Sequence, residues 1–202
     1  MLFPSFDRET ELAMDGTIVC GVDEAGRGPW AGPVVAAAVI LSPRNIPPGL
    51  NDSKKLTEAK REALYGPIMQ GAIVGVGIIS AARIDQINIL QATYEAMREA
   101  VQSLATTPHL ALIDGNRAPP LSCRCETIVE GDAKSLSIAA ASIIAKVTRD
   151  RLMHDLDRQY PDYGFAAHKG YGTEGHQAAL SRHGPCSEHR RSFAPIRLLL
   201  GC

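Results

Sequence analysis

An apolar run, Ile18-Val19-Cys20-Gly21-Val22, passes without a break into the paired carboxylates Asp23-Glu24 and then into Ala25-Gly26-Arg27-Gly28-Pro29. The run reads as a buried strand, and two adjacent charges at its end cannot enter a core without partners. They belong at a rim, where they are well placed to hold a divalent cation. The flanking glycines lack a Cβ and tolerate positive φ, so the backbone there can approach a ligand closely. Metal and phosphate chemistry is the first expectation.

The rest of the chain reads as α/β. Residues 33–41 form a second apolar run and residues 72–79 a third, interrupted by glycines. A polar helix is expected over 57–69, with Ser53 or Thr57 as its N-cap. A longer helix is expected over 84–104, where Ile87, Leu90, Tyr94, Met97, Val101 and Leu104 recur at alternating steps of three and four and make one apolar face. Residues 110–113 and 127–129 read as short strands that run out toward Asp114 and Asp132. A long helix fits 135–160, and its Ala139-Ala140-Ala141-Ser142 stretch permits close packing on a sheet. Turn chemistry over 161–172 leads to a short helix over 173–183. No internal repeat or low-complexity linker interrupts this order. Strands followed by strand–helix alternation predict a mixed sheet covered by helices.

At 202 residues the chain is expected to form one domain, residues 1–202, with a C-terminal helical segment from about residue 161 packed on it. No apolar stretch reaches the roughly 20 residues of a membrane span. The first residues lack a charged-then-apolar leader pattern, so a cytoplasmic protein is expected. Five irregularly spaced cysteines (Cys20, Cys123, Cys125, Cys186, Cys202) read as reduced thiols, and Cys123-x-Cys125 has the wrong spacing for a zinc site. The net charge of −1 does not mark a nucleic-acid binder, but residues 146–197 hold nine Lys/Arg against six Asp/Glu, with five of the six histidines. Local basic patches steer a polyanion more than the net sum does.

Asp23, Asp114 and Asp132 each follow an apolar, strand-like run, and ligand sites of open α/β sheets collect beyond the carboxyl ends of strands. Three strands ending in aspartate at one rim would gather three hard oxygen ligands, suited to Mg²⁺ or Mn²⁺, with Glu24 as a fourth. Successive strand residues face opposite ways, so Asp23 and Glu24 can share a site only if the strand ends or bends between them. Any one of these aspartates alone is more often a turn starter or a helix cap. The set carries the case.

In order along the chain stand Asp23-Glu24-Ala25-Gly26-Arg27-Gly28-Pro29, Leu50-Asn51-Asp52-Ser53-Lys54-Lys55-Leu56, Leu112-Ile113-Asp114-Gly115-Asn116, Gly131-Asp132, residues 140–150, His168-Lys169-Gly170-Tyr171-Gly172-Thr173 and His189-Arg190-Arg191-Ser192-Phe193. Through these blocks the chain resembles type 2 ribonuclease H over residues 18–197. The resemblance implies an RNase H-like fold: a five-stranded mixed sheet flanked by helices, with a small C-terminal helical segment. It implies a monomeric endonuclease that cleaves the RNA strand of RNA–DNA hybrids and incises 5′ to a ribonucleotide embedded in duplex DNA, leaving 3′-hydroxyl and 5′-phosphate ends. Asp23, Glu24, Asp114 and Asp132 would hold two Mn²⁺ or Mg²⁺ ions and carry catalysis. Gly26, Arg27 and Gly28 would read the junction, and Tyr171 would stack on a sugar. Glu130, where bacterial members often carry a basic residue, and Trp30, where a smaller aliphatic is usual, depart from the family pattern.

Lys54, Lys55, Lys146 and Lys169 are candidate phosphate contacts that position without specifying sequence. His168 and His176 are too irregularly spaced for a helical ligand pair, and surface roles are expected for them. A type 3 ribonuclease H would carry an N-terminal substrate-binding domain, which is not expected with only 22 residues before Asp23. A metal phosphohydrolase built on Asp114-Gly115-Asn116 would require neither Gly26-Arg27-Gly28 nor Tyr171.

Overall fold

β1 (Val19–Ala25) pairs antiparallel with β2 (Val34–Leu41), and β2 pairs antiparallel with β3 (Ala72–Ile79). β4 (Leu110–Asp114) and β5 (Arg124–Ile128) extend the sheet on the other side of β1, parallel to it, in the order β3-β2-β1-β4-β5. The structure, a computed structural model, describes residues 3–201. The five-stranded mixed sheet expected from the sequence is therefore observed.

Strand alternation sorts the apolar residues onto two faces. Cys20, Val22, Ala36, Ala38, Ala111 and Ile113 pack with α3 (Ala81–Gln102) on one face. Ala37, Val39 and Leu41 pack with α2 (Glu58–Gly71) and α4 (Leu136–Gln159) on the other, where Leu110 and Leu112 meet Ile138. Each fully buried aliphatic contributes roughly 1.5–3 kcal/mol, so these two layers supply most of the driving force.

Small residues decide how close the helices come. A Cβ on Gly21 would lie 2.1 Å from the Ser137 carbonyl carbon of α4, so only glycine lets this helix sit against the middle of β1. The Ala139-Ala140-Ala141 stretch is fully buried at the same contact. α4 opens with Ser135 as N-cap, its Oγ accepting from Ile138 N at 3.2 Å. Glu9, buried on α1 (Asp7–Ala13), accepts from Ser135 Oγ and Ser137 N and so ties that short helix to the start of α4.

A third apolar cluster joins Ala31 and Met153 to Tyr163, Phe165, Ala179, Leu180 and Ile196. It seats the C-terminal helices α5 (Phe165–His168), α6 (Glu174–His183) and α7 (Ala194–Leu199) against the end of α4, as the expected C-terminal helical segment. Among the described residues no helix is long and apolar enough to cross a membrane.

Two local expectations are corrected. β5 spans Arg124–Ile128 rather than 127–129, because the strand is set by its ladder to β4 and not by its own hydrophobicity. α3 begins at Ala81, capped by Ser80, and breaks at Asn88 (φ 67°), whose side chain accepts from Leu90 N and Gln91 N. Thr57, not Ser53, caps α2. α1 was not foreseen. Cys20, Cys123, Cys125 and Cys186 are free thiols, as expected, and Cys202 lies outside the described residues.

Candidate active site

Gly21 pairs with Leu112 and Val22 with Ile113 across β1 and β4, so Asp23 and Asp114 follow side by side at the strand ends. Both share strand parity with residues facing α4: Gly21 lies against Ser137, and Leu112 packs with Ile138. Asp132 arrives on a 3₁₀ turn, Gly131–Ala133, between β5 and α4, rather than directly at a strand end. Gly131 N donates to Asp114 Oδ1 at 2.7 Å and holds the turn against β4. One oxygen from each of Asp23, Asp114 and Asp132 comes within 4.8 Å of the other two. Asp23 and Asp132 are buried, so these anions face one another in a poorly solvated place.

The cost of that crowding is visible in their protonation. Burial, and then the charges of Glu24, Asp114 and Asp132, push Asp23 well above the ordinary carboxylate range. Burial and Asp114 push Asp132 up to about 6. Burial alone would lower Lys54, yet Asp23, Asp132, Asp52 and Asp114 raise it on balance, so its ammonium stands over the cluster as a partial counter-charge. Hard anionic oxygens this close need a cation, and the donor set suits Mg²⁺ or Mn²⁺ rather than a soft metal.

Glu24 departs from the expected arrangement. β1 continues to Ala25 without a bend, so Glu24 has the opposite strand parity and stands outside the three mutually close oxygens. Its Oε1 lies 3.3 Å from Arg27 Nη1, and burial raises its proton affinity despite that partner. It lines a cavity of about 210 Å³ together with Gly26, Arg27, Gly28, Lys54, Lys146, Arg149 and Tyr171. Sites predicted more than a hundred residues apart thus share one wall.

The Tyr171 ring stands near Gly28, where a Cβ would approach its Cε1 to 3.7 Å. Lys54 is aimed by its loop: Lys54 N donates to Asp52 Oδ1 at 2.8 Å, and Ser53 N donates to Ser142 Oγ of α4. Lys146 lines the cavity while pairing with Asp150 at 2.7 Å. Lys55 and Lys169 do not line it. Lys55 turns to Asp52 at 3.7 Å, and Lys169 donates to the Ala166 carbonyl and contacts His154 Nε2 at 2.9 Å. Lys169 itself has a left-handed backbone (φ 51°).

Two arginines within the family-like blocks hold the site together from below. Arg149 and Arg190 are both buried, and among the described residues neither makes a salt bridge. Arg190 donates to the carbonyls of Gly26, Arg27, Gly32 and Pro33, and Arg149 to those of Ala31, Pro33 and Lys169. Burial pulls their pKa values down, to about 10 for Arg149 and about 9 for Arg190, where Arg149 adds repulsion, and both stay charged at neutral pH. They staple the Gly26–Pro33 loop from beneath. An arginine inside the apolar 140–150 block was the available signal for the first. His176 is also fully buried, not at the surface, and stacks on His168 with ring centroids 4.3 Å apart.

The crystal structure of the ribonuclease H2 from Pyrococcus horikoshii is similar to this chain, with a TM-score of 0.75 and 29% identity, over 90% of this chain and 96% of that one. Sheet order and helices therefore define a protein of the RNase H-like class. Residues 20–196 match the family model described as Ribonuclease HII. A ribonuclease HII of Parvibaculum lavamentivorans is 58% identical over 98% of this chain and 74% of its own length, and one of Geobacillus thermodenitrificans is 59% identical over 91% and 71%. The chain belongs to the ribonuclease HII family and is an enzyme of the ribonuclease class.

Proposed function

We propose that this enzyme cleaves the RNA strand of RNA–DNA hybrids and incises 5′ to single ribonucleotides embedded in duplex DNA, leaving 3′-hydroxyl and 5′-phosphate ends. It would do so as a single catalytic domain and a monomer, in the cytoplasm, removing ribonucleotides from DNA and degrading RNA primers. The observation that carries the reading is the approach of Asp23, Asp114 and Asp132 oxygens to within 4.8 Å beside the Gly26-Arg27-Gly28 loop.

Asp23, Asp114 and Asp132, with Glu24 at the margin, would hold two divalent ions, Mn²⁺ or Mg²⁺. When bound, such ions supply an activated water and offset charge on the leaving oxygen. The chain's own residues bind and orient. Arg27 and the backbone at Gly26 and Gly28 approach the 2′-hydroxyl, the group that separates RNA from DNA. Lys54 and Lys146 hold phosphates, and Tyr171, 46% exposed beside Gly28, offers its face to the next sugar. Lys55 and Lys169, which lie outside the cavity, would meet phosphates further along the duplex.

The test is a labelled duplex with a single ribonucleotide, incubated with enzyme and Mn²⁺ or Mg²⁺. Incision on the 5′ side of the ribonucleotide is expected, and no incision rules out the single-ribonucleotide reading. Tyr171→Ala should cost about tenfold or less on this junction, and less on a continuous hybrid, where every neighbouring sugar carries a 2′-hydroxyl.

A further inference from the structure

Tyr171 is 46% exposed, so packing fixes its side chain only in part and its backbone contacts contribute to its place. The carbonyl of Tyr171 accepts from Thr173 N at 2.8 Å and meets His176 Nδ1 at 2.9 Å. The other nitrogen of His176, Nε2, lies 3.0 Å from His189 Nε2, and His189 Nδ1 accepts from Cys186 N at 2.9 Å.

Donor and acceptor rules leave one proton arrangement for this row. The Cys186 N–H can only donate, so His189 Nδ1 is an acceptor and its proton sits on Nε2. That proton is donated to His176 Nε2, which leaves the His176 proton on Nδ1, aimed at the Tyr171 carbonyl. Protonating either ring would set two N–H groups against each other at 3.0 Å or remove the acceptor at His189 Nδ1. Burial keeps both rings neutral, with pKa values pulled down to about 4.

The row is fixed at both ends. His168 stacks on His176, and Trp30 lies 5.7 Å from the His176 ring. Trp30 N donates to Gly170 O, and Arg190 N, next to His189, donates to Trp30 O. The loop carrying Tyr171 is thus bonded to the His176 imidazole, and the loop carrying Gly28 reaches the same ring through Trp30 and the backbone beside His189 through the Trp30 carbonyl.

We infer that His176 and His189 form a neutral two-imidazole relay that positions Tyr171 against the Gly26-Arg27-Gly28 loop, and that they are positioning residues for junction recognition. The inference rests on the proposed role of Tyr171 as the sugar contact. His176→Phe removes the donor to the Tyr171 carbonyl while keeping a ring in the same space.

Single-turnover rates on the one-ribonucleotide duplex and on a continuous hybrid test it, for the parent, His176→Phe, His176→Asn, Tyr171→Ala and the double variant His176→Phe/Tyr171→Ala. The phenylalanine variant should lose about three- to tenfold on the junction and less than about twofold on the hybrid, and should add nothing in the Tyr171→Ala background. His176→Asn, whose amide can replace the Nδ1 donor, should recover part of the loss. An undiminished His176→Phe effect in the Tyr171→Ala background, or equal losses on both substrates, overturns the inference. Equal losses on both substrates for Tyr171→Ala alone would instead remove Tyr171 from junction reading. The relay is then decided by imidazole ¹⁵N shifts of the parent protein, which should report Nδ1–H for His176 and Nε2–H for His189. Any other tautomer pair overturns it, whether or not the variants fold.

Discussion

Arg190 Nη2 donates to the carbonyl of Gly26 at 2.6 Å, across 164 residues of sequence. The same guanidinium reaches three further carbonyls of the loop that follows, so one buried cation organises the turn beside the carboxylates. Removing it leaves several buried carbonyls without donors, each costing about 1–3 kcal/mol. Arg190→Met is therefore expected to destabilise the protein by at least about 3 kcal/mol in urea unfolding and to lower cleavage through loss of loop geometry. Arg190→Lys should recover little, because an ammonium cannot fork among four acceptors. A loss below about 1 kcal/mol would mean that water serves these carbonyls instead.

Asp114→Asn is expected to remove nearly all cleavage without unfolding the protein. The amide keeps an Oδ1 acceptor for Gly131 N, bonded at 2.7 Å, so the 3₁₀ turn stays in place. It loses the charge that a hard cation requires. Glu130→Gln is the contrast, since this exposed residue stands outside the three-oxygen cluster and its replacement should retain activity. Single-turnover assays decide it: activity of Asp114→Asn within a few-fold of the parent would show that the site is drawn wrongly.

Crowding of the carboxylates should be measurable without metal. Asp132 sits at about 6 in the folded protein against 3.8 ordinarily, so its folded pKa is raised. Its protonated form is favoured on folding, and that stability is lost as pH rises through the window from about 4 to about 6. In chelator at pH 7.5, Asp132→Asn should therefore be more stable than the parent, by on the order of 1 kcal/mol, and the gap should close near pH 4. Added Mg²⁺ or Mn²⁺ should raise the melting temperature of the parent and do so less for the variant. A variant less stable than the parent in chelator at pH 7.5 would contradict the repulsion.

The buried histidines titrate with the opposite sign. His176 and His189 lie at about 4 when folded against 6.5 ordinarily, so between those values the unfolded chain binds the protons and stability falls as pH drops. Each contributes up to about 1.4 kcal/mol per pH unit over that window. His176→Phe should flatten the pH dependence of urea unfolding between pH 6.5 and 4.5 by about that slope for one histidine. An unchanged slope would place the acid sensitivity elsewhere.

What could be read along the chain was whatever covalent periodicity imposes. The runs before Asp23 and Asp114, the three-and-four spacing after Ile84, and the small-residue stretch Ala139-Ala140-Ala141-Ser142 all reflect local backbone geometry, and they correspond to β1, β4, α3 and α4. β5, with the sequence Arg124-Cys125-Glu126-Thr127-Ile128, was placed too late because an edge strand is held by its neighbour's hydrogen bonds and carries little pattern of its own.

Tertiary structure alone decided which of the predicted residues meet. Asp23 and Asp114 converge through the β1–β4 register, whereas Glu24, adjacent in sequence, is turned to the other parity by strand alternation. Lys54 and Lys55 are neighbours, yet only Lys54 lines the cavity, and the Lys169 ammonium is engaged with Ala166 and His154. Arg149, Arg190, His176 and His189 take their roles from partners up to 164 residues distant. Residue type and local spacing set what each side chain can do, but the packing of α4 and the C-terminal helices on the sheet sets which groups lie within bonding distance, and no short-range pattern encodes that.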